Sequence, residues 1–360
     1  MKRIALGVTL FLAAAAGAFA QSDLQPLAVV KLNKSETITL KQLKNRANFI
    51  QKQYRVENLP VEQKQALLEN LIAEKLITQS AAKEGLSVTD SQVDDAFLRP
   101  FSQQLGMNVT KSQLEDLIKK QTGQSLDDYI KEFSGMSMAE YKAYLKNQII
   151  VQQYVFSKKK AEIDAIAATD EEIRKAYEMN KSSFVWNDMI KLFLVMVPKE
   201  SNDMAARALA TELRNKYEKD PKKADEIKNS SENGKNYRAG ELTIAKTAQQ
   251  AQQLGWSIDK MNELFEKTSG YVSDVTETSA DYQFYAVIKK YDAKMLAIGD
   301  SVQPDASVTV YDYLKGNITA QKQNQYFTAA AQEISKELDT SSNVDRKKTG
   351  DALTKLLSNW

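Results

Sequence analysis

The sequence predicts a mainly α protein with one small α+β domain, and three observations carry that expectation. The chain holds only 13 Gly and 6 Pro in 360 residues against 42% hydrophobic residues, too few turn-formers for an all-β protein. Apolar residues recur at three- and four-residue spacing through most of residues 40–168, as one buried face of a helix requires. Near residue 185 the pattern changes to an apolar run of strand length, Met189–Val197, interrupted only by Lys191 and stopped by Pro198. A chain of this length makes roughly two or three domains.

Residues 28–39 contain two short β-branched runs around the polar turn Asn33–Glu36, a small hairpin. Thr39 or Thr37 caps a helix from about 40 to 55, and Pro60 opens a second at a position that suits proline. Leu67, Leu68, Leu71, Ile72, Leu76 and Ile77 give that helix one buried face, and Gly85 ends it. Ser87–Val93 reads as a cap and a new start. Helical pieces follow at about 90–105, 111–122 and 125–134, punctuated by Gly106, Gly123 and Gly135, and a long helix runs from about 137 to 163. Ala167–Ile173 is another cap and start, opening a short helix to about Met179, and the helical domain ends near residue 168.

After the 189–197 strand, residues 202–217 form an amphipathic helix through Met204, Leu209, Leu213 and Tyr217. The polar, glycine-bearing stretch 219–240 reads as a loop, and Leu254-Gly255-Trp256 precedes a short helix ending near Phe265. Tyr282–Ile288 alternates loosely as a last strand. Residues 308–338 form a final helix with a polar middle at Gln321–Gln325, and the tail carries a short helix near 350–357.

Composition excludes much chemistry. With no Cys there is no disulfide, thiol nucleophile or thiolate metal site, and with no His the commonest general base and metal ligand are missing. The 49 Lys+Arg and 47 Asp+Glu nearly balance, which leaves no footprint for nucleic acid or an anionic membrane. No Gly-rich phosphate loop, HExxH or EF-hand loop occurs, so no cofactor or metal is expected. The carboxylate pairs Asp94-Asp95, Asp127-Asp128 and Glu171-Glu172 lie about 100° apart around a helix and do not converge on one ligand. Lys158-Lys159-Lys160 sits near a helix C-terminus, where positive charge suits the macrodipole.

Residues 1–20 have a basic start at Lys2 and Arg3, an apolar run to about Ala16 and small residues at Ala18 and Ala20, the pattern of a cleaved secretory leader. No cysteine follows to take a lipid, and no later stretch is long and apolar enough to span a bilayer. An exported protein is expected, periplasmic in a double-membraned bacterium.

Three phrases resemble a known family: AVVKLNKSETITLKQL, LLENLIAEKLITQSAAKEGLSVTDSQVDDAF, and ATDEEIRKAYEMNKSSF. Together with the element order they resemble the SurA/PrsA-type periplasmic chaperones, which couple a helical client-binding domain to parvulin-type prolyl isomerase domains. The resemblance implies a helical chaperone domain over 21–168, a linker helix over 169–184 and a parvulin-like domain over 185–293. It further implies that residues 294–360 fold back onto the first domain. In the parvulin alignment Phe193 stands where the first strand carries a histidine, and Tyr285 or Ala286 where the last strand carries the second. Leu254-Gly255-Trp256 matches a family phrase, Phe265 matches an aromatic lining of the proline pocket, and Ala251-Gln252-Gln253 replaces the usual Gly-Gly-Asp.

The function implied is ATP-independent sheltering of unfolded or extended polypeptides by a monomer or dimer. Isomerisation must lower a barrier of about 18–20 kcal/mol, which an apolar pocket without histidine does inefficiently. Phe97, Phe101, Leu105 and Met107 lie around Pro100 and Gly106, where a regular helix is expected to break; they form either a partly exposed apolar patch or a buried anchoring cluster. With Met136, Met138, Tyr141, Trp256 and Phe265 they are the candidate client-binding residues, the methionines being open to an ordinary core role. An active prolyl isomerase and a self-associating envelope protein are the alternatives. The missing sustained heptad pattern opposes the second.

Overall fold

A computed structural model describes residues 23–199, 203–232, 236–254 and 256–360; the leader at 1–20 and Gly255 lie outside the described residues. The chain divides into two compact units, residues 1–167 with 321–360, and residues 168–320. The architecture is mainly α with small antiparallel sheets, as the sequence predicts.

The first unit opens with strands β1 (Pro26–Val30) and β2 (Glu36–Thr39), an antiparallel pair. Six helices follow: α1 (Leu40–Tyr54), α2 (Val61–Lys83), α3 (Asp90–Leu105), α4 (Lys111–Thr122), α5 (Leu126–Ser134) and α6 (Met138–Asp164). Their starts are written in the sequence. Thr39, Thr89, Thr110 and Ser137 each accept the N–H three residues on, while Gln42, Gln92, Gln113 and Glu140 reach back to the cap N–H, two otherwise orphaned donors met at each start. The hairpin turn is pinned by Gln79, whose Oε1 accepts the N–H of Asn33 at 3.0 Å. Glu36 bridges Lys34 at 2.6 Å and Lys75 of α2 at 2.8 Å.

Pro100 does not break α3, contrary to the sequence expectation. It stands on the exposed face, so the carbonyl four residues back that loses its N–H partner can meet water instead. α3 ends at Gly106, whose φ of 66° is the left-handed conformation that favours glycine.

The second unit contains α7 (Asp170–Asn180), β3 (Val185–Trp186), β4 (Met189–Pro198), α8 (Asp203–Lys219), α9 (Ala224–Glu232), β5 (Arg238–Ala245), α10 (Ala248–Gln253), α11 (Ile258–Glu266), β6 (Thr276–Glu277), β7 (Asp281–Tyr291) and β8 (Lys294–Met295). Its main sheet has the order β5-β4-β7-β6 and is antiparallel throughout. The stretch expected as a loop holds α9. Ile227 and Tyr237 are buried in the sheet's core, and the Tyr237 hydroxyl donates to the Ile227 carbonyl at 2.9 Å. Two apolar anchors thus fold a segment whose remaining surface is polar.

The last helix, α12 (Val310–Leu338), is followed by β9 (Val344–Arg346) and α13 (Gly350–Ser358). The boundary between the units falls inside α12. Val310 and Leu314 close a core with Ile173, Tyr177 and Leu296 in the second unit, whereas Ala330 and Ile334 close one with Ile77, Ala81, Tyr154 and Val155 in the first. The expectation that all of 294–360 packs on the first domain, and that 169–184 is only a linker, is therefore corrected: 170–180 and 296–318 share a core of their own. The tail returns to the first unit, where β9 pairs with β1 and Arg346 spans Glu69 and Asp339 at 2.6 Å each. Lys64, 6% exposed, donates to the Leu357 carbonyl at the end of α13 at 3.0 Å. Among the described residues no helix is long and apolar enough to cross a membrane.

Two outcomes are expected. Ile334→Ala should cost about 2–4 kcal/mol and lower hydrogen-exchange protection in the first unit, and Leu314→Ala should do the same in the second, each measured by exchange with mass spectrometry. Burial pushes the Glu36 carboxyl up, but the bonds from Lys34 and Lys75 outweigh it and hold the carboxyl below its ordinary range. A depressed folded value stabilises above the unfolded value of about 4.3 and loses that contribution as pH falls through the folded value. Glu36→Gln should thus cost on the order of 1 kcal/mol at neutral pH in denaturant titrations, a deficit that closes in acid.

Candidate functional site

β4 is the central element of the second unit, and strand alternation decides what each of its side chains does. Phe193, Val195 and Val197 face α8, in a core with Ala206, Ala210, Leu213 and Tyr217. Ile190 and Leu192 face the other way, in a core with Ile244, Met261, Leu264 and Phe265. Both faces are buried from Leu192 on, which is why β4 reads as an apolar run interrupted only by Lys191 near its start.

On the α11 face this arrangement leaves a cavity of about 290 Å³. Its floor is Leu192 and Leu194 of β4 with Leu242 and Ile244 of β5, and Leu254, Trp256 and Leu264 form one wall. Tyr285, Gln283, Thr276 and Thr278 supply hydroxyl and amide groups, and Lys260, Glu263 and Glu277 the charges. The Tyr285 backbone is fixed by Ser273, whose Oγ accepts its N–H at 2.9 Å and whose own N–H donates to its carbonyl at 2.8 Å. Burial pushes the Tyr285 phenol above its ordinary range, and Tyr271 and Glu263 add to the shift, so the ring presents a neutral hydroxyl. Lys260 Nζ sits 4.9 Å from the Trp256 ring centre, holding the indole at the cavity's edge.

Phe193 is 1% exposed and stacks on Tyr217, with ring centres 5.0 Å apart and planes at 10°. Ala286 is its cross-strand partner and shares its face. Both therefore point away from the cavity, whereas Tyr285, partner of Leu194, lines it. Of the other second-unit candidates, Trp256 lines the cavity, and Phe265 is buried beneath it in the core. Leu192, Leu194, Leu242 and Ile244 form the floor, and sequence reasoning did not single them out. The signal for Leu192 and Leu194 was the period-two parity of β4, which the consecutive apolar residues 192–197 conceal.

In the first unit the candidate residues separate. Phe97 is buried with Leu114, Ile118 and Ile130, and Met136 is also buried. Phe101, Met138 and Tyr141 are half-buried against the Phe97 cluster. Leu105 is 40% and Met107 58% exposed, at the open corner where α3 ends. Rings continue the cluster outward: Phe97 meets Phe101 at 5.7 Å and Tyr141 at 6.2 Å, Tyr141 meets Phe49 at 6.3 Å, and Phe49 meets the half-exposed Phe133 at 6.2 Å. Of the two readings the sequence left open, Phe97 and Met136 take the buried one and Leu105 and Met107 the exposed one.

The fold is that of a helical unit joined to a small α+β unit with an apolar cavity on its sheet, and comparison with solved structures gives likenesses over nearly the whole chain. PrsA from Bacillus subtilis is 20% identical, with 93% of this chain and 99% of that one covered at a TM-score of 0.30. A Campylobacter jejuni chain, one of two SurA-like chaperones described as PEB4 and Cj1289, is 16% identical over 90% of this chain and 99% of its own, at 0.32. The foldase protein PrsA from Streptococcus pneumoniae is 18% identical over 90% and 96%, at 0.29. No protein-family model matches the chain, and no curated protein does.

A histidine introduced at residue 193 should not place a polar group in the cavity. Phe193→His puts an imidazole against Tyr217 and should cost about 2–4 kcal/mol in chemical denaturation without raising isomerase activity. Tyr285→His, on the cavity face, is the comparison that should leave the α8 core intact.

Proposed function

We propose that the chain is an ATP-independent holding chaperone for unfolded, exported polypeptides, in which the second unit is a degenerate parvulin that grips extended chain without isomerising it. Residues 1–20 direct export in this reading, to the periplasm where the cell has two membranes. The observation that carries the proposal is the cavity on the α11 face of the sheet: a floor of four aliphatic side chains, aromatic edges at Trp256 and Tyr285, and neutral hydroxyls and an amide at its polar side. Such a site takes an apolar side chain out of water and offers hydrogen bonds to the chain that bears it.

Burying one large apolar side chain contributes about 1.5–3 kcal/mol, and ordering a disordered client opposes binding. A single contact is therefore weak and exchanges readily, which suits a protein that must release its client. The exposed Leu105, Met107 and Phe133 of the first unit supply further apolar contacts, so that one client touches several weak sites. The sequence contains no histidine; Phe193 and Ala286 lie in a closed core, and Tyr285, the other residue aligned with the second parvulin histidine, brings only a phenol hydroxyl to the cavity.

The test is aggregation of a denatured outer-membrane protein diluted into buffer. The chain should suppress light scattering at near-stoichiometric ratio without nucleotide, and Leu194→Asp should weaken the effect several-fold by placing a charge on the cavity floor. In a protease-coupled assay on a Xaa-Pro peptide it should give no acceleration at catalytic concentration. Failure to suppress aggregation refutes the chaperone reading, and clear catalysis converts the protein to an isomerase.

A further inference from the structure

The edge of the main sheet next to the cavity is open. β5 pairs with β4 on one side only, in the register Met189–Ala245 through Met196–Arg238. The Lys246 N–H donates to the Asp188 carbonyl at 2.8 Å, which makes that pair a hydrogen-bonded one. Bonded and non-bonded pairs alternate in an antiparallel ladder, so Ile244, Leu242, Gly240 and Arg238 bond to β4, and Ala239, Glu241 and Thr243 turn their N–H and C=O outward. Among the described residues no protein group meets those outward atoms; at Ala245 the carbonyl is taken by the Thr247 N–H at 2.8 Å, where the strand ends.

The opposite edge is closed. Residues 270–277 run along β7, with Gly270 N–H on the Val287 carbonyl, Val287 N–H on the Tyr271 carbonyl and Ser273 N–H on the Tyr285 carbonyl, each at 2.8 Å. The guards of an edge strand are confined to the ends of β5, at Arg238 and the following Lys246; between them there is no Pro and no Lys, and the one charge, Glu241, is tied to Lys191 at 2.8 Å. Leu242 and Ile244 on this strand are its share of the cavity floor.

We propose that β5 is a docking strand: an extended segment of client polypeptide adds to it antiparallel, bonding by main chain to Ala239, Glu241 and Thr243. This deepens the chaperone reading and rests on it, because it names what that site recognises, namely a bare extended backbone with apolar residues at every second position. Three outward donor–acceptor pairs spaced two residues apart fit another extended backbone and little else. The client residues opposite Leu242 and Ile244 share their face, so alternate apolar side chains reach the cavity. The residues between them carry the amides that bond to β5. A folded protein presents neither feature.

The probe is a synthetic peptide of alternating valine and serine, titrated into the full chain by fluorescence anisotropy, with N-methyl groups on all valine amides in one version and on all serine amides in another. Methylation at serine should abolish binding, and methylation at valine should leave it within a few-fold, because a one-residue slip would put serine in the cavity. Thr243→Pro removes one outward N–H that makes no bond to β4 and should weaken the unmodified peptide about fivefold or more, with the circular dichroism unchanged. Equal binding of both methylated versions overturns the inference even if the proline variant fails to fold. If the unmodified peptide binds and Leu194→Asp weakens it while Thr243→Pro and methylation do nothing, the edge proposal fails and the cavity reading stands. No binding of the unmodified peptide ends both. A concentration-dependent dimer in sedimentation that Thr243→Pro dissolves would assign the edge to a second copy of the chain instead.

Discussion

The second unit depends on one constraint, that β4 must bury both of its faces. A central strand with Phe193, Val195 and Val197 on one side and Ile190, Leu192 and Leu194 on the other needs a cover for each, and α8 and α11 are those covers. The two covers are unequal. α8 is 17 residues long and fills its side with Ala206, Ala210, Leu213 and Tyr217. α11 has nine residues and reaches only part of the other face. The uncovered remainder of an obligatorily apolar surface is the cavity, so the site is a consequence of packing a long strand under a short helix.

The same constraint explains why residues 193 and 286 are apolar. An aromatic at 193 stacked on Tyr217, with Ala286 opposite it, gives a tight core where a large side chain meets a small one across the strands. Packing at these positions is sensitive to every methylene, whereas Tyr285 and Gln283 line the cavity and are held by their backbones, Tyr285 through Ser273 and Gln283 through Thr276. Stability lives on the α8 face, and recognition is free to vary on the α11 face.

Much of the first unit was legible because its signals are local. A Thr or Ser followed three residues later by Gln or Glu fixes a helix start by geometry alone, and Thr89 with Gln92 and Ser137 with Glu140 do so as read. The strand 189–198 and the final helix were legible for the same reason. What was not legible depends on partners far along the chain. β9 is three residues long and exists because β1 offers it an edge. The division of α12 between two cores cannot be seen in a helix whose apolar residues continue through both halves, although its polar middle at Gln321–Gln325 marks the place where the division falls. The floor residues Leu192 and Leu194 are hidden because parity is invisible in the consecutive apolar residues 192–197, and the burial of Phe97 stays open in the sequence because Pro100 suggests a break that the helix does not make.

An apolar cavity alone would be a poor discriminator, since any detached hydrophobe could fill it. A native protein and a nascent one carry similar apolar content, and they differ in whether backbone and side chain are offered together. Folded clients have their amides spent in helices and ladders and their alternate apolar residues buried, and only an unfolded segment offers both in one extended strand. A site that reads amides at one parity and side chains at the other would therefore measure foldedness itself rather than composition. Under the proposed function such recognition would need no nucleotide and no titrating group, because it would end when the bound segment satisfies its own backbone, folding then competing with the site for the same hydrogen bonds.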